Sequence, residues 1–335
     1  MPQLQQLRIF GCPLLRALPD FVLAASLRDL KLKECENLEV LPPLGRLPNL
    51  ETLVLAGMGV RRLDAGFLGI EEVENANINE GEIARVTAFP KLKRLEIQYL
   101  EELEKWDGIE KRVGEEDAPA TSICIMPQLR ELTICSCSLL RALPDYVLAA
   151  SLQELELTEC GNLEVLPPLG RLPNLESLKL RGVGVRRLDA GFLGIEEVEN
   201  ANINEGEIAR VNAFPKLRRL VISFLFKLKE WDGIEKRVGE EDATTTSICI
   251  MPQLRELTIC SCSLLRALPD YVLAASLQEL ELAECRNLEV LPPLGRLPNL
   301  ESLELRGKSG MELKREWEKR MPPQLQYALC HNFKT

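Results

Sequence analysis

The sequence predicts an α/β solenoid in which short parallel strands alternate with irregular or short helical return segments around one leucine core. Three observations lead to this prediction. The phrase Met-Pro-Gln-Leu recurs at residues 1, 126 and 251 of the 335-residue chain, which defines an outer period of 125 residues. A shorter leucine pattern recurs eleven times inside that period. The leucine spacing within each unit fits one short strand followed by a turn.

The shorter pattern reads Leu-x-x-Leu-x-Leu/Ile-x-x-Cys-x-x-Leu-x-x-Leu-Pro, which is typical of leucine-rich repeats. We number each unit from its first leucine, which is position one. These first leucines are Leu4, Leu27, Leu50, Leu92, Leu129, Leu152, Leu175, Leu217, Leu254, Leu277 and Leu300. The sequence therefore predicts a leucine-rich-repeat domain over residues 1–307, in copies 1–125, 126–250 and 251–307, and a divergent tail or cap at 308–335.

Each unit should contribute one strand to a parallel sheet. Side chains alternate between the two faces of a strand, so positions four and six should point into the core and positions three, five and seven should point away from it. One unit cannot bury its leucines alone, whereas stacked units bury them in a continuous core. We therefore expect a horseshoe with the sheet on its concave face.

The return segments should be short. Pro-Asp-[Phe/Tyr]-Val-Leu-Ala-Ala is expected to form one helical turn, and Pro-Pro-Leu-Gly-Arg is expected to be extended, because proline interrupts regular structure. Two insertions lengthen each full copy, at about 64–88 and 107–125 and again at about 189–213 and 232–250. Their glycine and acidic residues favour exposed loops. Solvated loops without function and loops that bind a partner both remain open.

Charge and residue usage exclude several function classes. Lys and Arg number 41 against 51 Asp and Glu, which gives a net charge of −10. This balance argues against nucleic acid and against an anionic membrane as partners. The single histidine, His331, argues against histidine-rich metal sites and histidine-based catalysis. We expect no catalytic residues, no cofactor and no metal site.

The cysteines indicate packing rather than chemistry. Six of the eleven occupy position nine, just past the strand: Cys12, Cys35, Cys137, Cys160, Cys262 and Cys285. We interpret them as small buried side chains. A metal site at Cys135 and Cys137 is the alternative, but position seven should face out while position nine faces in. The chain has no Asn-x-Ser/Thr sequon, so we expect free thiols in a reducing cytoplasm.

The differences between copies point to a binding face. Copies 1–125 and 126–250 differ at 27 positions, of which fourteen fall at strand positions two, three, five and seven and none at positions one, four and six. A recognition surface on a constant scaffold predicts this distribution, although drift on an exposed face is an alternative. The candidate binding residues are Arg8, Phe10, Lys31, Lys33, Val54, Glu96, Gln98, Thr133, Cys135, Glu154, Glu156, Lys179, Arg181, Arg219, Val221, Thr258, Glu281 and Glu304.

Charge is patterned along this face. Lys179, Arg181 and Arg219 are expected to form a basic stripe with acidic stripes on both sides. Charge complementarity of this kind sets partner choice and association rate more than affinity. The alternative is that neighbouring stripes neutralise each other across the strands.

Several phrases together resemble one family. These are the repeat pattern itself, LPPLGRLPNLESLKL, and AFPKL ahead of Trp-Asp. They look like the C-terminal leucine-rich-repeat region of plant intracellular NB-ARC disease-resistance proteins of the coiled-coil type, and the resemblance covers about residues 1–307. It implies a protein-recognition (sensor) segment that binds a pathogen effector or a guarded host protein and, in full-length relatives, restrains the nucleotide switch of the NB-ARC module.

The chain departs from that family in one respect. No Gly-x-x-x-x-Gly-Lys-Ser/Thr phosphate loop is present, because the nearest string begins with Ser302 where the first glycine should stand. We therefore expect the sensor portion alone. The alternative function is a generic protein-interaction scaffold, such as a ubiquitin-ligase substrate-reading repeat domain. The ligand, the role of the acidic insertions and the oligomeric state stay open.

Overall fold

The computed structural model describes residues 3–18, 24–70, 85–106, 122–148, 151–195, 210–231, 247–273, 275–288 and 297–307. Within these ranges the chain forms short strands, two one-turn α-helices and several 3-10 turns. The strands are β1 Gln6–Phe10, β2 Asp29–Cys35, β3 Thr52–Met58, β4 Arg62–Leu63, β5 Arg85–Ala88, β6 Arg94–Gln98, β7 Lys105–Trp106, β8 Ser122–Ile125, β9 Glu131–Cys135, β10 Glu154–Thr158, β11 Ser177–Arg181, β12 Arg187–Leu188, β13 Arg210–Ala213, β14 Arg219–Ser223, β15 Glu230–Trp231, β16 Ser247–Ile250, β17 Glu256–Cys260, β18 Glu279–Ala283 and β19 Ser302–Arg306. The helices are α1 Ala65–Leu68 and α2 Ala190–Leu193.

The chain divides into two compact units. Unit 1 comprises residues 1–167 and 172–175, and unit 2 comprises residues 168–171 and 176–335. The repeat strands of unit 1 follow the order β1-β2-β3-β6-β9-β10, and those of unit 2 follow the order β11-β14-β17-β18-β19. Every repeat strand pairs in parallel with its neighbours inside its unit. The predicted α/β leucine-rich-repeat solenoid of eleven repeats is confirmed.

The leucines are aligned from strand to strand. In unit 1, Leu53 lies opposite Leu95, and Leu95 lies opposite Leu132. In unit 2, Leu220 lies opposite Leu257 in the same way. All of these side chains are buried, as are the leucines at position one of every unit from Leu27 to Leu277. The stacking of equal residues therefore builds the core, as the spacing predicts.

A left-handed residue lies at the end of each repeat strand, just past the last residue in most repeats and one residue before it in β2 and β3. The residue at position eight has φ between 52° and 98° in all eleven units: Gly11, Glu34, Gly57, Tyr99, Ser136, Glu159, Gly182, Phe224, Ser261, Glu284 and Gly307. The position-eight N–H extends the strand ladder; the Tyr99 N–H, for example, donates to the Cys135 carbonyl at 2.9 Å. The chain then turns so that position nine points into the core.

The position-nine cysteines fill that inward place. Cys35, Cys137, Cys160, Cys262 and Cys285 are buried, and Cys12 in the first repeat is half-buried. Each thiol lies 3.4–3.5 Å from the carbonyl oxygen of position seven in its own repeat. Burial raises the pKa of the Cys137 thiol to about 12 and that of the Cys160 thiol to about 11. The cysteines among the described residues are free thiols.

The return segments contain 3-10 turns. Asp145–Val147 and Asp270–Val272 form the helical turn expected after Pro-Asp, whereas the first-copy counterpart at 19–23 lies outside the described residues. The extended conformation expected for Pro-Pro-Leu-Gly-Arg is wrong, because Leu44–Arg46 and Leu169–Arg171 are also 3-10 turns. Proline restricts φ to a value that also suits the residue ahead of a helical turn, and Pro43 has φ of −69°.

The beginning of the first insertion is packed rather than exposed. The Asp64 carboxylate accepts hydrogen bonds from the backbone N–H groups of Gly66 and Phe67, at 3.0 and 3.3 Å, and so caps α1. Phe67 and Leu68 are buried, and the ring of Phe67 lies 5.2 Å from that of Phe89. Asp189, α2 and the Phe192–Phe214 pair repeat this arrangement in unit 2.

The ends of the insertions form strands. β5, which ends the first insertion, pairs in parallel with β8, which ends the second, and β13 pairs with β16 in unit 2. Two shorter pairs join β4 to β7 and β12 to β15, where the first strand of each pair directly precedes the first insertion and the second strand directly precedes the second insertion. The expectation of loops over the whole of 64–88, 107–125, 189–213 and 232–250 is therefore wrong at these ends. Residues 71–84, 107–121, 196–209, 232–246 and the tail 308–335 lie outside the described residues.

Two glycines allow the insertion helices to dock. A Cβ atom on Gly45 would overlap the carbonyl oxygen of Leu68 at the end of α1, and a Cβ atom on Gly170 would overlap that of Leu193 at the end of α2. The side chain of Arg171 closes the same contact, since its Nε donates to the Gly194 carbonyl at 2.8 Å. The Leu-Gly-Arg turn is therefore a cradle for the helix that follows it in the stack.

We predict that Gly170→Ala destabilises the chain by at least about 1–3 kcal/mol, because the added methyl group must displace backbone rather than a flexible side chain. Urea unfolding followed by circular dichroism measures this loss. Gly161→Ala is the matched control, since a Cβ atom there meets nothing within 4 Å. Equal stabilities of the two variants would contradict the cradle.

We also predict a separation of thiol reactivities in the native protein. The exposed Cys124 and Cys249 should react first with N-ethylmaleimide, and Cys137 should react slowly because a pKa of about 12 leaves about a thousandfold less thiolate than an ordinary thiol. After denaturation without reductant, mass spectrometry should find all eleven cysteines alkylated. A disulfide between Cys137 and Cys160 in freshly isolated protein would contradict the packed-thiol interpretation.

Candidate functional site

The candidate site is the face of the repeat strands that lies opposite the leucines, which we call the open face. It is made by positions three, five and seven of each repeat. Strand alternation places all eighteen candidate residues on this face, each within its own unit. Most of them are half-buried or exposed. Many are half-buried because long polar side chains on neighbouring strands partly cover one another.

Unit 1 brings its candidates together in aligned rows. The position-five row runs through Arg8, Lys31, Val54, Glu96, Thr133 and Glu156. The position-seven row contains Phe10, Lys33, Gln98 and Cys135, and Glu154 lies at position three of β10. The Gln98 amide donates to the Glu96 carboxylate at 3.3 Å. The position-five row is therefore basic at β1 and β2 and acidic at β6 and β10.

Val54 is too deeply buried to contact a partner. It lies on the open face as predicted, between Lys31 and Glu96, but only 1% of it is exposed. The neighbouring longer side chains cover the shorter valine, which the alternation of the strand alone does not predict. Phe10, at 52% exposure, shows the opposite extreme on the same face.

Ion pairs connect neighbouring strands at position three. Arg94 and Glu131 form such a pair at 2.5 Å in unit 1, and their counterparts Arg219 and Glu256 form it at 2.5 Å in unit 2. Exposed pairs of this kind contribute about 0–1 kcal/mol. The basic stripe expected from Lys179, Arg181 and Arg219 is thus partly neutralised, because the Arg219 charge faces a carboxylate.

Unit 2 carries the remaining candidates. The position-five row runs through Lys179, Val221, Thr258, Glu281 and Glu304. At position seven the guanidinium carbon of Arg181 lies 4.7 Å from the ring centroid of Phe224, which is within range of a cation–π contact. Arg306, at the same position in the third copy, instead pairs with Glu304. The third copy is therefore acidic where the second is basic.

The strand pattern does not predict one further group of exposed side chains. Tyr99, Phe224 and Phe226 lie just past β6 and β14, at positions eight and ten, and Phe226 is 58% exposed. These residues lie outside the strand positions two, three, five and seven. The signal that marks them is a cluster of five copy differences, at residues 99, 101, 102, 104 and 105.

Among the described residues, no group of three or more His, Cys, Asp and Glu side chains has an arrangement that could hold a metal ion. Cys135 is half-buried on the open face, whereas Cys137 is buried on the core side. No helix in the described ranges has the length and apolar character needed to cross a bilayer.

Comparisons with known proteins give the following matches. A putative disease resistance protein of Solanum bulbocastanum, RGA4, is 32% identical over 111 residues, which are 33% of this chain and 9% of that protein. The chain thus matches less than a tenth of that relative's length. The leucine-rich-repeat domain of the type III effector XopL shows 19% identity and a TM-score of 0.47, over 90% of this chain and 76% of that chain. A leucine-rich-repeat protein of Leptospira interrogans shows 17% identity and a TM-score of 0.27, over 95% and 89%.

A family model decides the relationship. The model described as R13L1/DRL21 leucine-rich repeats matches residues 1–58, 61–183 and 186–308. These segments include every repeat strand of both units. The predicted resemblance to the repeat region of plant disease-resistance proteins is confirmed, and the chain belongs to the R13L1/DRL21 family of leucine-rich repeats.

Proposed function

We propose that this chain is the protein-recognition segment of a plant innate-immune receptor. In this proposal it acts in the cytoplasm without catalysis, and its open face binds a pathogen effector or a guarded host protein. In full-length relatives, the same repeat region restrains the nucleotide switch by contact with the NB-ARC module. The observation that carries the proposal is that copies differ on the open face while the residues at core positions one, four and six and the strand register are unchanged.

The constancy of the scaffold supports this proposal. Leu95 faces Leu132 at one copy junction, and Leu220 faces Leu257 at the next. The position held by Lys31 in the first copy is held by Glu156 in the second and by Glu281 in the third, in the same place on the strand. Different charges are thus presented at a fixed position, which is what selective protein binding requires.

Drift is a weaker explanation of the same differences. Random exchange on exposed positions would also reach the return segment LEVLPPLGRLPNLE, yet this segment is unchanged in all three copies. Part of that constancy has a structural cause, since Gly45 and Gly170 must remain small. A generic scaffold, such as a ubiquitin-ligase substrate reader, would use the open face in the same way and would differ in the partner it binds.

The test uses Lys31→Glu and Lys179→Glu in the full chain. Each substitution introduces the residue that the next copy carries at that position, Glu156 or Glu304, so both variants should fold. We expect their melting temperature to stay within about 2 °C of the parent, because neither side chain belongs to the core. The separately produced nucleotide-binding module of a plant NB-ARC disease-resistance protein should bind the double variant at least tenfold more weakly, as measured by calorimetry.

Two kinds of control accompany this measurement. Val40→Glu and Val165→Glu add the same charge at return-segment positions that are 74% and 72% exposed, and they should leave binding unchanged. Deletion of residues 196–209 tests the first insertion without removing the buried residues of α2. If this deletion abolishes binding while the open-face reversals do not, the insertion carries recognition and the open-face proposal is wrong. Failure of the parent chain to bind the module would overturn the proposed restraint.

A further inference from the structure

We propose that a rim past the end of β11 and β14 in unit 2 docks an acidic protein segment that carries a large apolar side chain. This inference rests on the proposed function and names the chemistry of one of its partners. We call the surface the basic aromatic rim. It consists of Arg181, Phe224, Phe226, Lys227 and Lys229.

Two phenylalanines form the apolar part of the rim. Phe224 has a left-handed backbone conformation, with φ of 57°. Its N–H donates to the Cys260 carbonyl at 2.9 Å and so fixes the backbone at this residue. Its ring lies 6.0 Å from that of Phe226 in an edge-on arrangement at 72°. Phe226 remains 58% exposed, so a large apolar surface faces solvent on a well-defined backbone. Phenylalanine is among the residues that are enriched at protein interfaces.

Arg181 supplies an orientated cation beside this pair. Its guanidinium carbon lies 4.7 Å from the centroid of the Phe224 ring, and it makes no ion pair with any residue in the described part of the chain. The contrast with the third copy explains why. Arg306 occupies the same position and pairs with Glu304, but the second copy carries Lys179 where Glu304 stands. The exchange of one carboxylate therefore leaves Arg181 available to an outside carboxylate.

The first copy gives an internal comparison. It carries Ala56 in place of Arg181 and Glu101, Glu102 and Glu104 in place of Phe226, Lys227 and Lys229. Glu102 pairs there with Arg61 at 3.6 Å, whereas a lysine stands at its position in unit 2. The same backbone thus presents an acidic rim in one copy and a basic aromatic rim in the other. Two neighbouring glutamates become lysines and a third becomes phenylalanine, and this combined exchange indicates a change of partner chemistry.

These features favour an acidic protein over nucleic acid. The cations attract carboxylates, and Phe226 offers a contact for an apolar side chain, which together are the usual chemistry of a protein interface. A nucleic acid would need a longer basic track, and the open face of unit 2 instead continues with Glu279, Glu281 and Glu304. The net charge of −10 acts in the same direction.

The experiment uses the full chain and a fluorescein-labelled peptide of twelve residues, composed of Asp and Glu around one central Trp. Fluorescence anisotropy at low salt should show saturable binding. Phe226→Glu and Arg181→Ala should each weaken it at least tenfold, and both should fold because the first copy carries Glu101 and Ala56 at these positions. Val165→Glu is the matched control, since it adds the same charge at another exposed apolar side chain that lies outside the open face, and it should leave binding unchanged.

Further probes separate the components of the interaction. The peptide with Ser in place of Trp should bind at least fivefold more weakly, and a dT12 oligonucleotide should bind more weakly than the Trp peptide. Equal effects of Phe226→Glu and Val165→Glu, or tighter binding of dT12, would overturn the inference. Both rim substitutions leave Lys31 and Lys179 in place. If the peptide does not bind the rim while the nucleotide-binding module still depends on those lysines, the rim inference fails and the proposed function stands.

Discussion

The left-handed residue at position eight is the constraint on which the repeat depends. It ends the strand, keeps its N–H in the ladder and turns position nine into the core, where Cys137 and Leu100 are fully buried. Glycine adopts this conformation without strain, but seven units use other residues, such as Glu34 and Phe224, at a cost of about 1 kcal/mol or more each. The stack overcomes this cost because the position-eight N–H, such as that of Tyr99 or Phe224, is hydrogen-bonded to the next strand.

The same constraint separates the scaffold from the surface that recognises. Positions one, four, six and nine point into the core, and the copies keep one, four and six unchanged because a smaller side chain there would open a cavity between neighbouring repeats. Most side chains at positions three, five and seven are free of that task, and so is the side chain at position eight, which the left-handed turn directs away from the core. Tyr99 and Phe224 can therefore differ between copies, as can Lys31 and Glu156, while every leucine pair stays in register.

The spacing of leucines within one repeat predicts those structural features that depend on that repeat alone. The repeat count, the phase of each strand and the burial of Cys137 follow from alternation along one unit, and the structure agrees. The ordered ends of the insertions do not follow, because β5 meets a partner 37 residues away in β8, and α1 needs the open space above Gly45. The burial of Val54 depends on the side chains of two other repeats. The strand pattern does not predict the two phenylalanines of the basic aromatic rim, because the pattern ends at position seven and these residues lie at positions eight and ten.

The two copy junctions are built from the same pieces. Arg94 pairs with Glu131 where the first copy meets the second, and Arg219 pairs with Glu256 where the second meets the third. The register of the adjoining strands is also the same at both places. If unequal crossing-over added or removed 125 codons, the new junction in the protein would therefore have the same strand register and the same ion pair as the existing ones. Length can change in such a lineage without a folding penalty at the seam, and selection can then act on the new copy's exposed side chains alone.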